Sequence, residues 1–141
     1  MQTFLPDADF AKCAKILDSK RGFKQCVEAK QIINTILNPA QKAWQNHPAV
    51  LMWRNNVDAL RLYFNQFLDE YISRGYKIKK LTKEALPASI EMPWWFKDKQ
   101  IFKKIINSHQ SKLLAKKKEY YSKFNWNVPD NLDYFWAKEE K

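Results

Sequence analysis

The stretch VLMWRNNVDALRLYFNQFLDEY, residues 50–71, decides the fold of this 141-residue chain. Its large apolar side chains alternate spacings of three and four residues over six steps, at Val50, Trp53, Val57, Leu60, Phe64, Phe67 and Tyr71. This spacing puts them on one face of a helix, so we predict one long helix here, with Gly75 as its C-terminal stop. Because the period matches helix packing, we interpret the aromatic stripe as core rather than as a base-stacking surface.

Two more long helices are predicted on either side of residues 50–71. The segment Lys20–Leu37 carries apolar residues at helical spacing and ends at Asn38-Pro39, where the proline disfavours helical backbone angles. A third helix is expected from about Lys97 to Tyr121, with these residues on one face: Phe102, Ile106, His109 and Leu113.

The rest of the chain reads as one short helix, a connector and a tail. Asp7 is expected to cap a helical segment that runs to about Leu17. Prolines make residues 76–96 an irregular connector, and an aromatic tail follows from Phe124. We therefore predict an all-α, compact single domain, residues 1–141, with three main helices, irregular connectors and an aromatic C-terminal tail.

The composition argues against several classes of site. The only two glycines, Gly22 and Gly75, lie too far apart for a Gly-rich nucleotide loop. Two cysteines and two histidines show no close CxxC or HxxxH spacing, so we expect no metal site, no cofactor and no disulfide framework. No signal-peptide pattern and no apolar run of about 20 residues is present, so we expect a cytoplasmic protein that does not span a membrane.

The formal net charge of +10 predicts a polyanionic partner. Nine lysines against two acidic residues give residues 97–123 a net charge of +7. Phosphate contacts by such a cluster would make DNA affinity fall steeply with salt. A solvated lysine face is the alternative, but Trp126 and the paired Tyr120 and Tyr121 adjoin the cluster, and aromatic residues beside cations suit unstacked bases. Trp126 is either such a platform or a lid on the core.

A single acid, Glu28, stands among basic residues of the second helix. Helical spacing puts Arg21, Gln25 and Glu28 on one flank, close to Lys20 and Lys24. Before any further clue, an i, i+4 ion pair between Lys24 and Glu28 is the simplest role for this carboxylate.

Four collinear stretches then resemble a known family. They are Leu17-Asp18-Ser19-Lys20-Arg21 through Lys24-Gln25-Cys26-Val27-Glu28, Asn46-His47-Pro48-Ala49-Val50, Ser73-Arg74-Gly75-Tyr76, and Ser108-His109-Gln110-Ser111-Lys112-Leu113-Leu114. In order, length, charge and helical plan, the chain resembles the pyrimidine-dimer DNA glycosylases, the phage and bacterial endonuclease V enzymes that excise ultraviolet photoproducts. The resemblance implies a helical, metal-independent glycosylase and abasic-site lyase.

The resemblance also implies site residues. In this family the N-terminal α-amine attacks the sugar C1′ and a glutamate on the first long helix assists, which points to Met1 and Glu28 as the catalytic pair. Arg21 and Lys24 match the arginines that flank the glutamate, and His47 matches a histidine before the middle helix. With the charge pattern, the candidates for substrate or DNA contacts are Gln2, Lys20, Arg21, Lys24, Gln25, His47, His109, Lys112, Lys116 and Trp126. In an apolar stripe, His109 is equally well read as a core residue.

An α-amine suits this chemistry. Its ordinary pKa near 8, against about 10.4 for lysine, leaves roughly a tenth of it neutral at pH 7. The phage enzyme carries a small second residue and loses its initiator methionine, whereas the bulky Gln2 should block that trimming. We therefore expect Met1 to be retained and to supply the amine, because an N-terminal glutamine could cyclise and destroy the nucleophile.

The sequence thus predicts a monomeric DNA repair enzyme of bacterial or phage cytoplasm, associated with the nucleoid, that acts on damaged double-stranded DNA. It would excise pyrimidine dimers or another damaged base, or cleave plain abasic sites, with extrusion of a nucleotide. A DNA-binding module without catalysis is the alternative, and a membrane-surface or protein-partner domain is a third possibility.

Overall fold

The computed structural model describes residues 1–137, which contain helices and no β-strand. The predicted all-α class is confirmed. Three long helices are joined by short helices and irregular connectors. The elements are α1 Phe10–Ile16, α2 Ser19–Leu37, α3 Pro48–Trp53, α4 Val57–Ser73, α5 Trp94–Lys97, α6 Lys99–Lys116, α7 Lys118–Tyr121 and a 3₁₀ turn at Ser122–Phe124.

The core forms where α1 and α2 pack against α4. Phe10 contacts Trp53 and Tyr63 edge to face, with ring centroids 6.0 and 5.5 Å apart, and Trp53 meets Trp95 at 5.0 Å. Offset and perpendicular ring contacts of this kind favour dense packing. Val50, Trp53, Leu60, Phe64 and Phe67 are buried, so the reading of the aromatic stripe as core is confirmed.

The single long helix predicted over residues 50–71 is wrong, because the structure divides it into α3 and α4. The break falls at Asn56, which leaves helical geometry with φ −140° and ψ 52°. Its side chain donates to the Glu91 carbonyl at 3.1 Å. Asparagine is favoured at helix starts because its side chain bonds backbone groups outside the helix ladder. The apolar spacing continues across the break from Trp53 to Val57, and for that reason the sequence pattern does not reveal it.

The third helix is also shorter than predicted. α6 ends at Lys116, and Lys117 adopts φ −153° and ψ 73° before α7 begins. The turn brings the buried Tyr121 to Asp18, whose carboxylate accepts a hydrogen bond from the tyrosine hydroxyl.

The cap of the first helix is Asp9 rather than the predicted Asp7. The Asp9 carboxylate accepts from the Ala11 and Lys12 N–H groups at 2.8 and 3.3 Å, and Asp7 accepts from the Asp9 N–H just before the helix at 3.0 Å. The boundaries of α2, by contrast, agree with the prediction to within one residue.

The connector and the tail are held by side chains of the long helices. Asn65 and the Glu84 backbone exchange two hydrogen bonds, at 2.9 and 2.8 Å. Ser108 and Ser111 on α6 accept from the backbone N–H groups of the tail residues Phe135 and Leu132. The predicted domain reaches residue 141, but residues 138–141 lie outside the described part. None of the helices described over residues 1–137 has the length and apolarity that crossing a membrane requires.

Candidate active site

The first six residues form an extended segment that runs through the core. Residues 2–6 are buried although they belong to no helix. The Phe4 N–H donates to Gln25 Oε1 of α2 at 2.7 Å, and the Leu5 N–H donates to His109 Nδ1 of α6 at 2.8 Å. The Tyr63 hydroxyl of α4 lies 2.8 Å from the Phe4 carbonyl oxygen. A buried backbone needs such partners, since helix and sheet ladders do not supply them here.

Two more anchors hold the segment. Trp53 Nε1 of α3 donates to Thr3 Oγ1 at 3.0 Å, and Gln110 Nε2 of α6 donates to the Pro6 carbonyl at 2.9 Å. The position of the N-terminal amine is thus fixed by side chains from four different helices.

Gln25 connects this segment to Glu28. Its amide oxygen must accept from the Phe4 N–H, so its NH₂ group faces Glu28 and donates to Oε2 at 2.8 Å. The Tyr63 hydroxyl lies 2.9 Å from the same amide oxygen, and burial raises the pKa of this tyrosine well above its usual value, which keeps it a donor. Gln25 is buried, so it orients the carboxylate instead of facing solvent.

The Met1 amine and the Glu28 carboxylate meet at the end of the segment. Met1 N lies 3.9 Å from Glu28 Oε1, which is within electrostatic contact but beyond hydrogen-bond distance. The two side chains are only 6% and 14% exposed. Glu28 therefore pairs with Met1 and Gln25, and not with Lys24 as the simplest reading of the sequence had it.

Both groups open onto a cleft of about 380 Å³ between α2 and the loop that follows it. Its other walls come from α2 and from the loop before α3: Gln31, Asn34, Thr35, Gln41 and Trp44.

His47 lies beside this cleft and caps α3. Its Nδ1 accepts from the Ala49 N–H at 3.0 Å, so the proton of the neutral ring is on Nε2. Burial lowers the pKa of His47, and the positive N-terminal amine lowers it further. The ring contacts Trp44 at 5.7 Å and Trp136 of the tail at 5.9 Å. His47 is thus a neutral group held close to the amine.

Tyr134 of the tail packs against Phe4 of the N-terminal segment and His109 of α6. Burial raises the pKa of Tyr134, and the Glu28 charge raises it further while Arg21 opposes the shift, so the phenol is within electrostatic reach of both residues. Lys112 Nζ lies 5.0 Å from the centre of the same ring. Lys112 of α6 therefore packs against a ring whose pKa also responds to the charges of Glu28 and Arg21 on α2.

Trp126 is linked to the same face through Tyr121. The two rings stack at 5.9 Å with an interplanar angle of 18°, and the Tyr121 hydroxyl donates to Asp18. Arg21 in turn donates to Asp18 at 3.2 Å. Trp126 is half-buried and packs on the core side of this arrangement.

Lys20, Lys24 and Lys116 are exposed, and Lys24 lies about one helical turn after Arg21. Lys20 and Lys24 lie on α2, and Lys116 lies one turn beyond Lys112 on α6.

Three of the residues predicted to contact substrate or DNA are buried. His109 is fully buried, its Nδ1 holds the Leu5 N–H, and burial lowers its pKa to about 3, so it is a neutral core residue. Gln25 is 1% exposed and Gln2 is 7% exposed. None of the three presents a surface to DNA in this structure, because each side chain is engaged with or packed behind the N-terminal segment.

Several residues at the site are absent from the sequence prediction: Gln31, Asn34, Gln41, Trp44, Tyr63, Tyr134 and Trp136. Trp44 carried the clearest signal, since it is a large aromatic residue in a polar stretch that belongs to no apolar periodicity. Tyr63 and Tyr134 gave none, because their roles depend on contacts with distant parts of the chain.

A larger cleft of about 750 Å³ lies away from Met1, between α3 and α5. Its lining includes an ion pair of Lys97 with Glu91 and the amides of Asn55 and Asn56, and none of the predicted site residues. Within residues 1–137, no three His, Cys, Asp or Glu side chains come together as a metal-binding group.

Comparison with known proteins gives one result. A family model described as pyrimidine dimer DNA glycosylase matches residues 1–84, which is more than half of the chain and includes Met1, Glu28 and His47. No curated protein and no solved structure matches the chain.

Proposed function

Because the chain belongs to the pyrimidine dimer DNA glycosylase family, we propose that it excises a damaged base and then cleaves the strand through an imine on the Met1 amine. The observation that carries this proposal is the anchored N-terminal segment, which ends 3.9 Å from the Glu28 carboxylate. Holding a nucleophile and a proton acceptor in one geometry lowers the barrier by removing much of the entropic cost of their encounter.

In the first step, the lone pair of the neutral amine attacks C1′ and the C1′–N bond to the base breaks. The bonding electrons leave with the base, which takes up a proton. The Glu28 carboxylate stabilises the positive charge that develops on the sugar. Opening of the C1′–O4′ bond then leaves a C1′=N imine, and O4′ receives a proton.

In the second step, Glu28 removes a C2′ proton, and the C3′–O bond breaks with departure of the 3′ phosphate. Water then hydrolyses the imine and releases the amine. The scheme uses only the amine and the carboxylate for these transfers, and we propose that the enzyme acts without a metal.

Basic residues of α2 and α6 supply the affinity in this proposal. We propose that Lys20, Arg21, Lys24, Lys112 and Lys116 contact phosphates of damaged double-stranded DNA, and that the Nε2–H of His47 donates to the substrate next to the amine. Trp126 supports this surface through Tyr121. The substrate is a pyrimidine dimer or another damaged base, and the protein acts as a monomeric single domain in a bacterial or phage cytoplasm.

Borohydride trapping with an abasic duplex tests the proposal. Wild type should give a covalent adduct, whereas a DNA-binding module without catalysis would bind the duplex and leave none. Glu28→Gln should bind the duplex as well as wild type but lose at least about 100-fold in strand cleavage, the scale of general base catalysis.

Glu84→Gln is the matched control, since Glu84 is similarly shielded, at 19% exposed, but pairs with Lys30 outside the cleft. It should cleave like wild type. Equal cleavage by Glu28→Gln and wild type would return Glu28 to a structural role.

A further inference from the structure

Trp44 has a backbone conformation that bulky residues rarely adopt. It lies in the loop between α2 and α3 with φ +69°, in the left-handed region. The Cβ atom makes this region costly for every residue except glycine. The cost is smaller for asparagine and aspartate than for other residues. Strain of this kind persists only where the surrounding structure imposes it, and it concentrates at functional sites.

The neighbouring residue Gln45 imposes the conformation. Gln45 Nε2 donates to the carbonyls of Thr35 and Asn38 at the end of α2, both at 3.0 Å. Arg54 donates to the Gln45 backbone carbonyl and, at 3.1 Å, to its side-chain oxygen. The loop is therefore fastened both to the end of α2 and to the end of α3.

Packing of the Trp44 ring against the core does little to offset this backbone strain. It is 55% exposed and stands at the wall of the cleft that Met1 and Glu28 share. Its ring contact is with His47, at 5.7 Å and an angle of 58°, which leaves an indole face open. Burial of apolar surface does not account for a strained tryptophan at this position.

The lining of this cleft suits a base better than a phosphate. In a chain of net charge +10, none of the described residues that line it is lysine or arginine. Three neutral amides, Gln31, Asn34 and Gln41, project from its walls. Amides pair with the donor and acceptor edges of bases, whereas phosphates draw cations. Its volume of about 380 Å³ falls in the usual range for small-ligand pockets, roughly 300–1,000 Å³.

We propose that Trp44 stacks on a nucleobase extruded into this cleft and thereby determines whether base-bearing DNA is a substrate. The inference rests on the proposed function and deepens it, because it assigns the cleft beside the amine to a base. The amides then bind the edge of the base while its sugar lies at Met1 and Glu28.

Substitution of Trp44 by glycine separates this role from a structural one. Glycine adopts φ +69° without strain, so Trp44→Gly should melt at the same temperature as wild type or higher. Excision from a duplex with one cis-syn thymine dimer should fall about 10- to 100-fold, as expected for loss of one base–aromatic stack. Borohydride trapping with an abasic duplex should not change, because that substrate lacks the base at the attacked sugar.

Two controls accompany this variant. Trp44→Phe should retain most excision, since a smaller ring still stacks. Tyr76→Ala removes another exposed aromatic ring, 44% exposed and outside the cleft, and should retain both activities.

The outcomes are distinguishable. Wild-type excision by Trp44→Gly, or a parallel loss of abasic trapping, would overturn the stacking role while leaving the proposed function intact. Failure of the wild-type protein itself to form an abasic adduct would overturn both.

Discussion

The role of Glu28 depends on the residues that surround it in the folded protein. Its isolation among basic residues could be read from the sequence, and so could its place on one flank with Gln25 and Arg21. Its contact with the Met1 amine could not be read from the residues, because this amine reaches Glu28 only through a segment held by α2, α3, α4 and α6. No local feature of the sequence therefore argued against an i, i+4 ion pair between Lys24 and Glu28.

His109 makes a prediction for pH dependence. Its pKa is lowered by burial from 6.5 to about 3 in the folded protein. Between these values the unfolded chain binds a proton that the folded chain does not, so stability is full above pH 6.5 and falls as pH drops below it. The slope approaches 1.4 kcal/mol per pH unit, so we expect wild type to lose about 2 kcal/mol from this group between about pH 6.5 and 5.

His109→Asn removes the titration while keeping an acceptor for the Leu5 N–H. Urea unfolding at several pH values should show a smaller loss of stability below pH 6.5 in this variant than in wild type. Parallel stability curves for the two proteins would mean that His109 is not buried and neutral.

At the scale of elements, α2 was predictable and its neighbours were only partly so. α2 combines regular apolar spacing with a clear stop at Asn38-Pro39, so local signals and packing agree. The division into α3 and α4 was hidden because Val57 continues the spacing of Trp53, while the cause is a tertiary hydrogen bond from Asn56 to Glu91. The break at Lys117 likewise depends on the distant contact between Tyr121 and Asp18.

The cap of α1 can be tested directly. Asp9→Ala removes the oxygen that accepts from the Ala11 and Lys12 N–H groups, and we expect it to lower the free energy of unfolding by about 1 kcal/mol. Asp9→Ser keeps a capping oxygen and should lose much less. Equal losses for the two variants, measured by urea unfolding, would show that the cap oxygen is not what stabilises this end of α1.

The N-terminal segment is the element whose structure could be predicted least from the sequence. It reads as a short apolar stretch stopped by Pro6, with no periodicity to assign. Its hydrogen bonds reach residues 21 to 104 positions away, so no local pattern encodes them. The family resemblance predicted a reactive amine, but the anchoring by four helices emerges only from the fold.

At the scale of the whole molecule, lysine and arginine side chains are kept out of the described lining of the site, whose charges are the Met1 amine and the Glu28 carboxylate. The cleft beside Met1 carries no lysine or arginine among its described lining residues, while Arg21 and Lys24 lie on α2 and Lys112 on α6, outside that lining. Such an arrangement would hold the phosphate backbone at the rim and leave the interior for an uncharged base.

The salt dependence of DNA affinity reports whether these basic residues contact phosphates. Each phosphate contact contributes about −0.9 to the slope of log K against log salt, so the double variant Lys112→Gln/Lys116→Gln should have a slope shallower by about 2. Fluorescence anisotropy with a labelled duplex at several salt concentrations gives the slope.

The double variant Lys83→Gln/Lys97→Gln removes the same charge from lysines that already pair with Asp69 and Glu91. It should keep the wild-type slope. An equal change in both double variants would mean that DNA binding depends on net charge alone and not on this face of the protein.

The proposed mechanism requires that the anchored segment delivers the Met1 amine to C1′. The most direct measurement is peptide mapping of the adduct that borohydride traps between the wild-type protein and an abasic duplex. Mass spectrometry should locate the reduced sugar on the α-amine of Met1. An adduct on a lysine side chain, or active protein that begins with pyroglutamate in place of Gln2, would contradict it.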